Sequence, residues 1–423
     1  MISSAFVWVF LPGDTQATLC GRFTHEHATG GTGLGKFVYG KRYLALPQAL
    51  AIDPIALPLA DREWSITAQQ GLFGVIEDAS PDSWGKYVVD RSHGKQASPV
   101  DYLLKSQQDR VGNLAFSAAS DEPPIHVEPM ERSWLPDIYR VITDLELERP
   151  IPPELAAQIR PNTGLGGARP KLTIRAGQHQ WLVKFPSHKD SPRVPIARLE
   201  AAALDLARIC GIDTVVHEVA HIQGADVLLV RRFDRSQLPG GWGHDAFVSA
   251  RTVFASDEAA HAYSFFGSYP RLATDLARWS SRPAADRIEL FRRMVFNAVI
   301  GNGDDHDRNH GFVADEARPD AYRLSPAYDI VPYLHQPKVR QLAMGAGDEG
   351  GSVTLENLLS GARNFGLDAE TAKTIIQTMG EQAQDLWGGC CERQGLSRPV
   401  IAELASCVQP VRPAQAAAGD GFA

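Results

Sequence analysis

Ile300-Gly301-Asn302-Gly303-Asp304-Asp305-His306-Asp307-Arg308-Asn309-His310-Gly311-Phe312 crowds three carboxylates, two amides and two histidines between apolar runs. A second stretch, Leu324-Ser325-Pro326-Ala327-Tyr328-Asp329-Ile330, answers it. The run before it carries Ile288, Phe291, Val295 and Val299 at helical spacing, which predicts a buried helix ending near Gly301. The polar cluster then falls on a loop held by a rigid element, where chemistry is usually placed.

Phosphoryl transfer needs a carboxylate to orient the attacking hydroxyl and oxygen ligands that hold Mg2+ against the phosphates. Asp304, Asn309 five residues on, and Asp329 on the next apolar segment are of the right types for those three roles. A neutral oxygen ligand beside a charged one suits Mg2+ bridged to phosphates better than zinc, which prefers histidine and cysteine. An acidic, Gly-rich loop is equally the composition of a solvated turn or a calcium loop. The spacing does not match an EF-hand.

With 423 residues the chain is long enough for two or three domains with real cores. Its 44% hydrophobic and 22% charged content is that of a soluble globular protein, and the net charge of -8 argues against coating nucleic acid. Cys20, Cys210, Cys390, Cys391 and Cys407 are odd in number and lack metal-ligand spacing, which fits a reducing compartment. The first residues have neither the basic region nor the apolar core of a signal peptide, and no run approaches a membrane span. A cytoplasmic location is expected.

Residues 1 to about 60 alternate strand-like runs (Ala5–Phe10, Lys36–Tyr39) with turn signals such as Pro12-Gly13-Asp14, an antiparallel sheet unit. A helix is expected after Ser80, with Pro81 in its first turn, and another from Ser98 to Leu104. Asp109 to Phe116 reads as a strand, Trp134 to Leu147 as a helix, and Pro150, Pro152 and Pro153 mark a boundary. The glycine-rich loop Asn162 to Lys171 leads into a strand at Leu172–Ile174, a turn at Ala176-Gly177 and a strand at Trp181–Phe185. Glycines there let backbone N–H groups approach phosphate oxygens, although the loop is not a Walker A motif and equally suits a hairpin.

Lys184 lies within that apolar strand, where a lysine is costly unless paired. Glu200 begins an amphipathic helix with Leu199, Ala203, Leu206 and Cys210 on one face, stopping at Gly211. Loop, strand lysine and helix glutamate follow the order of a protein-kinase N-lobe. Val227 to Arg235 is a buried strand running into charge, at the place of an interlobe hinge. From about 241 the pattern becomes mostly helical, with helices near 256–266, 270–279, 283–300, 355–365, 369–387 and 398–407, then an Ala/Gly/Pro-rich tail expected to be disordered.

Taken together, the chain resembles the HipA-type serine/threonine kinases of bacterial toxin-antitoxin modules. The motifs are Phe73 to Trp84, Asp109-Arg110-Val111-Gly112, Gly166-Gly167-Ala168-Arg169-Pro170-Lys171, Arg232-Phe233-Asp234-Arg235, Asn302 through Asn309, and Pro326-Ala327-Tyr328-Asp329. The resemblance implies Asp304 as catalytic base and Asn309 and Asp329 as Mg2+ ligands. It implies Lys184 at the ATP phosphates with Glu200 as partner, the backbone of Arg231 to Phe233 at adenine, and Asp234 at the ribose. Gly164, Leu165, Gly166, Gly167 and Ala168 would form the nucleotide loop, and His306 would come near the phosphates. A helix-turn-helix antitoxin, DNA reached through it, and a protein substrate, with an aminoacyl-tRNA synthetase among those known in the family, are implied as partners. Some members carry an autophosphorylated loop serine; Gly164 stands there in this chain, leaving Thr163 as the hydroxyl able to take that role.

The expected fold is α+β, a protein-kinase-like two-lobed core with a β-rich N-terminal subdomain and a mostly helical C-terminal lobe. The expected boundaries are 1–150, 151–240, 241–408 and a tail at 409–423. The expected activity is Mg-ATP-dependent phosphorylation of a protein serine or threonine. A small-molecule or lipid kinase and a nucleotide-binding corepressor without catalysis are the alternatives.

Overall fold

The computed structural model describes residues 2–27, 33–106, 109–125, 128–151, 169–255, 266–315, 317–334 and 339–414, with the side chain of Pro319 excepted. The chain forms two compact units, each from three separated segments: Met1–Ala197, Val215–Ser256 and Gly311–Pro326 in the first, and Arg198–Thr214, Asp257–His310 and Ala327–Ala423 in the second.

The first unit opens with strands β1 (Ile2–Phe10), β2 (Ala17–His27), β3 (Gly33–Tyr39), β4 (Glu63–Ile66) and β5 (Leu114–Ser117), in the order β4-β3-β2-β1-β5. Every pairing in this sheet is antiparallel, as the short turns between its first strands require. Helix Pro99–Lys105 starts from a capping box: the Ser98 hydroxyl accepts from the Asp101 N–H and the Asp101 carboxylate accepts from the Ser98 N–H. The expected strand at Asp109–Phe116 begins only at Leu114; Asp109 to Asn113 is instead a loop fixed by charge, described below.

A second sheet contains β6 (Met130–Glu131), β7 (Lys171–Ala176), β8 (His179–Lys184), β9 (His217–Ile222) and β10 (Ala225–Arg231), in the order β6-β7-β8-β10-β9. Period-two alternation puts Leu172, Ile174, Val183, Val227 and Leu229 on one face, where they pack with Ile138, Val141, Ile142 and Leu145 of helix Leu135–Glu146. Hairpin β11 (Arg235–Leu238) and β12 (Gly241–His244) follows. Strand β13 (Phe247–Ser249) pairs with β14 (Gly311–Asp315), and β14 with β15 (Arg318–Leu324). The sequence reading, mostly helical from 241, missed this sheet, in which β13 lies more than sixty positions before the strand it pairs with.

The second unit is helical in its described residues. Helix Ile196–Ile209 enters it from Arg198, and helices Tyr269–Trp279, Pro283–Ile300, Leu355–Ser360, Ala369–Arg393 and Arg398–Leu404 follow. Helix Pro283–Ile300 is buried on all sides over its last turns, at every residue from Arg293 through Ile300. It stops because Gly301 adopts φ 70°, a left-handed cap that glycine takes without steric cost. Residues 409–414, expected to be loose, are tied down: Gln409 N–H donates to Val299 O at 2.9 Å and Ala414 N–H to the Glu356 carboxylate at 2.8 Å. The rest of that tail, and all but the last residue of the helix expected at 256–266, lie outside the described residues. Among the described residues no helix is long and apolar enough to cross a membrane.

Candidate active site

In the second unit, the loop after Gly301 separates its two adjacent aspartates. Asp304 is exposed, whereas Asp305 is 2% exposed. The Asp305 carboxylate accepts from the Tyr269 hydroxyl and, at 2.8 Å, from His310 Nε2. Asn297 Nδ2 donates to the Tyr269 oxygen at 3.3 Å, and Asn302 Nδ2 to Asn297 Oδ1 at 3.0 Å. The loop is thereby bolted to helices Tyr269–Trp279 and Pro283–Ile300 through groups all buried from water. Because a carboxylate only accepts, His310 carries its hydrogen on Nε2; its Nδ1 is buried without a hydrogen-bond partner.

The 3-10 turn Asp307–Asn309 then folds Asn309 back beneath Asp304. Asn309 N–H donates to His306 O at 2.9 Å, and its Nδ2 to the Asp304 carbonyl at 3.4 Å. With Nδ2 so engaged, Oδ1 is the donor atom left for a cation. His306 caps the turn, its Nδ1 accepting from Arg308 N–H at 3.3 Å, and its ring lies 5.6 Å from that of Phe266.

The segment bearing Asp329 is stitched to this loop on both sides: Tyr328 donates to Arg308 O at 2.9 Å and Tyr333 N–H to Gly301 O at 3.1 Å. Asp329 itself is exposed and has φ 59°, a left-handed backbone that costs an L-residue about 1–2 kcal/mol. Such strain concentrates at functional positions. Asp304, Asn309 and Asp329 therefore belong to one stitched assembly. The oxygen donors of Asn309 and Asp329 fit Mg2+, which takes one or two protein ligands and leaves the remainder to water and phosphate. Among the described residues no cluster of three or more His, Cys, Asp or Glu is placed to hold a metal ion.

In the first unit, the face of the second sheet opposite the core carries the lysines. Lys184 of β8 stands directly across from Lys171 of β7, and Leu228 of β10 flanks it on the other side. Lys171 is 6% exposed. The backbone register therefore sets the two lysines side by side on this face of the sheet. Lys171 was quoted in the glycine-loop motif but not assigned a role; counting residues out from the Ala176-Gly177 turn would have placed it opposite Lys184.

At the hinge position, Arg231 N–H donates to Val216 O at 2.8 Å and Arg232 N–H to Gln180 O at 2.9 Å, and the Phe233 ring lies 6.1 Å from Phe247. Asp234 differs from the ribose role implied for it. Its carboxylate, 2% exposed, accepts from Arg232 Nε (2.9 Å) and Nη2 (2.8 Å), Arg235 Nη1 (2.9 Å) and Gly112 N–H (2.8 Å). Arg232 also binds Asp109 at 2.5 Å and the Arg110 carbonyl at 2.7 Å. Burial alone would raise the Asp234 carboxyl, but Arg232 and Arg235 outweigh it and hold it well below the usual carboxylate range. Four donors occupy both oxygens, so Asp234 braces the segment and no ribose role is carried forward for it.

Lys184 belongs to the first unit; Glu200, 6% exposed on helix Ile196–Ile209, belongs to the second. Gly164, Leu165, Gly166, Gly167 and Ala168, with Thr163, lie outside the described residues.

The HipA-like C-terminal domain model matches residues 163–387, more than half of the chain. The chain is 27% identical over 388 residues to "Putative kinase Y4mE" of Sinorhizobium fredii, covering 85% of each. It is 23% identical over 220 residues to the serine/threonine-protein kinase toxin HipA of Shewanella oneidensis, covering 45% of this chain and 48% of the relative. Among solved structures, the Shewanella oneidensis HipA, HipB and operator DNA complex matches with TM-score 0.65 at 18% identity, over 95% of this chain and 94% of the other. That likeness establishes the fold, an α+β kinase-like one. The chain belongs to the HipA-type kinase family.

Proposed function

We propose that this protein is a Mg-ATP-dependent kinase that phosphorylates a serine or threonine hydroxyl of another protein. The observation that carries the proposal is the contrast at Asp304-Asp305: the buried carboxylate anchors the loop and its neighbour is left exposed. Asp304 orients the acceptor hydroxyl and takes its proton as the new O–P bond forms and the bond from the γ-phosphorus to the bridging oxygen breaks, releasing ADP. Asn309 Oδ1 and the Asp329 carboxylate are the residues that would hold Mg2+, whose charge offsets that building up on the transferred group. Lys184 and Lys171 supply cations to the nucleotide phosphates, and the backbone of Arg231 to Phe233 receives adenine. Catalysis rests on positioning and charge compensation, since the chain need form no covalent intermediate.

The test is phosphoproteomics on a lysate supplied with pure protein and Mg-ATP, beside the Asp304→Asn variant. New phosphoserine or phosphothreonine sites made by the parent and lost in the variant support the proposal. Label appearing only in metabolites or lipids would favour the alternative acceptors, and equal labelling by the variant would remove Asp304 from its role.

The HipB and operator DNA partners of the Shewanella structure motivate a second part: a helix-turn-helix antitoxin that carries this chain to DNA. The net charge of -8 supports DNA being reached through such a partner rather than by the chain alone. Operator affinity measured with and without the partner, in parent and Asp304→Asn, separates this role from catalysis.

A further inference from the structure

Within the second unit a cavity of ≈ 290 Å³ opens beside the base, walled by Gly301, Gly303, Tyr333, Val339, Leu342 and Val353. Gly303 directly precedes Asp304, and its missing side chain is what admits the Tyr333 ring: a Cβ there would stand 2.6 Å from the Tyr333 Cε2 atom. Tyr333 and Val339 are 44% and 67% exposed, so two large apolar groups are left facing water at the margin of this cavity. Burial, and after it the charge of Asp304, raises the Tyr333 hydroxyl above its ordinary range, which places this wall within the field of the base.

The charged side chain in the wall does not call for an anion. Arg340 Nη1 donates to the carbonyls of Ala298 and Val299 at 3.1 and 3.0 Å, and Nη2 to those of Ser406, at 3.5 Å, and Cys407. It serves as the cation at the C-terminus of helix Pro283–Ile300. What remains is an apolar recess. About 150 Å³ is enough to seat a benzene ring in a protein interior, so this one has room for a single Leu, Met or Phe side chain.

We infer that this cavity is the specificity pocket for the acceptor polypeptide, seating a large apolar side chain near the phosphorylated residue. The inference rests on the kinase proposal above. An extended chain advances about 3.3–3.6 Å per residue, so an acceptor whose hydroxyl meets Asp304 brings a side chain within three positions of it to Gly303 and Tyr333. Selection then comes from burying that side chain, and acceptors with Asp, Lys or Gly at the same position are disfavoured by desolvation or by an unfilled recess.

The experiment uses the full chain, Mg-ATP and a dephosphorylated, proteome-derived peptide library, comparing the parent with Val353→Phe, which fills the recess, and Val339→Arg, which charges its exposed margin. Affinity for an ATP analogue, read in parallel, reports that each variant is folded. The expected result is a preference for Leu, Met or Phe of at least tenfold at one fixed position from the labelled residue in the parent, reduced to threefold or less in both variants. Labelled peptides without such a preference, or one that survives both substitutions, overturn the pocket while leaving the kinase proposal standing. No labelled peptide at all, with the analogue bound, overturns the protein-kinase proposal and the pocket with it.

Discussion

Asp234 and Asp305 are both 2% exposed, yet they are held by opposite means. Asp234 lies between two guanidinium groups and a backbone N–H, in a cluster that also draws in Asp109. Asp305 is held by a tyrosine hydroxyl and a histidine ring N–H. Full opposite charges lock the first carboxylate in place and cancel its field. A hydroxyl and a ring N–H fix the second, and the adjacent Asp304 is left exposed. One carboxylate chemistry braces the segment from Arg232 to Arg235, and another anchors the loop that leaves Asp304 exposed.

The largest expected effect comes from the presented acid. Asp304→Asn should lower phosphate transfer by about 10²–10⁴-fold while leaving nucleotide affinity near that of the parent, read by labelled-ATP turnover and analogue binding. Asp305→Asn, by contrast, should lower stability as well as turnover; unchanged stability would break the contrast drawn between the neighbours.

Removing the braced acid comes next. Asp234→Asn takes from buried Arg235 the carboxylate it binds and leaves Arg232 with Asp109 alone, and should cost about 3–5 kcal/mol in urea unfolding. The pH dependence sharpens this. Because the folded-state carboxyl of Asp234 lies below its ordinary value, its contribution is complete above the ordinary carboxylate pKa and is lost as pH falls from there toward the folded value. The parent should therefore lose its advantage over Asp234→Asn as the solution is acidified below the ordinary range, and a gap that persists at that pH would refute the charge account.

Tyr269→Phe deletes a single donor to Asp305 and should cost about 1–3 kcal/mol by thermal unfolding, with a smaller fall in turnover than Asp304→Asn. Smallest is Gly301→Ala, which places a Cβ on a left-handed cap and should cost about 1–2 kcal/mol by thermal unfolding.

Local pattern made much of this legible. The apolar spacing before Gly301 marked helix Pro283–Ile300, and the alternation around Ala176-Gly177 marked β7 and β8, because each depends on side chains close in sequence. The pairing of β13 with β14 was hidden, since strands so far apart in the chain leave no local trace of their register. Asp109 and Asp234 were likewise 125 positions apart and gave no sign of sharing Arg232.

By itself the sequence determined which residue types gather near 304 and 329, where the helices stop, and which family motifs occur in which order. Only the tertiary structure decided that Asp305 is the anchor and Asp304 the exposed acid, that Asp234 is enclosed by arginines, and that Lys171 stands opposite Lys184. The reason is that residue type fixes what a group is able to do, whereas burial and distant partners fix what it is left free to do.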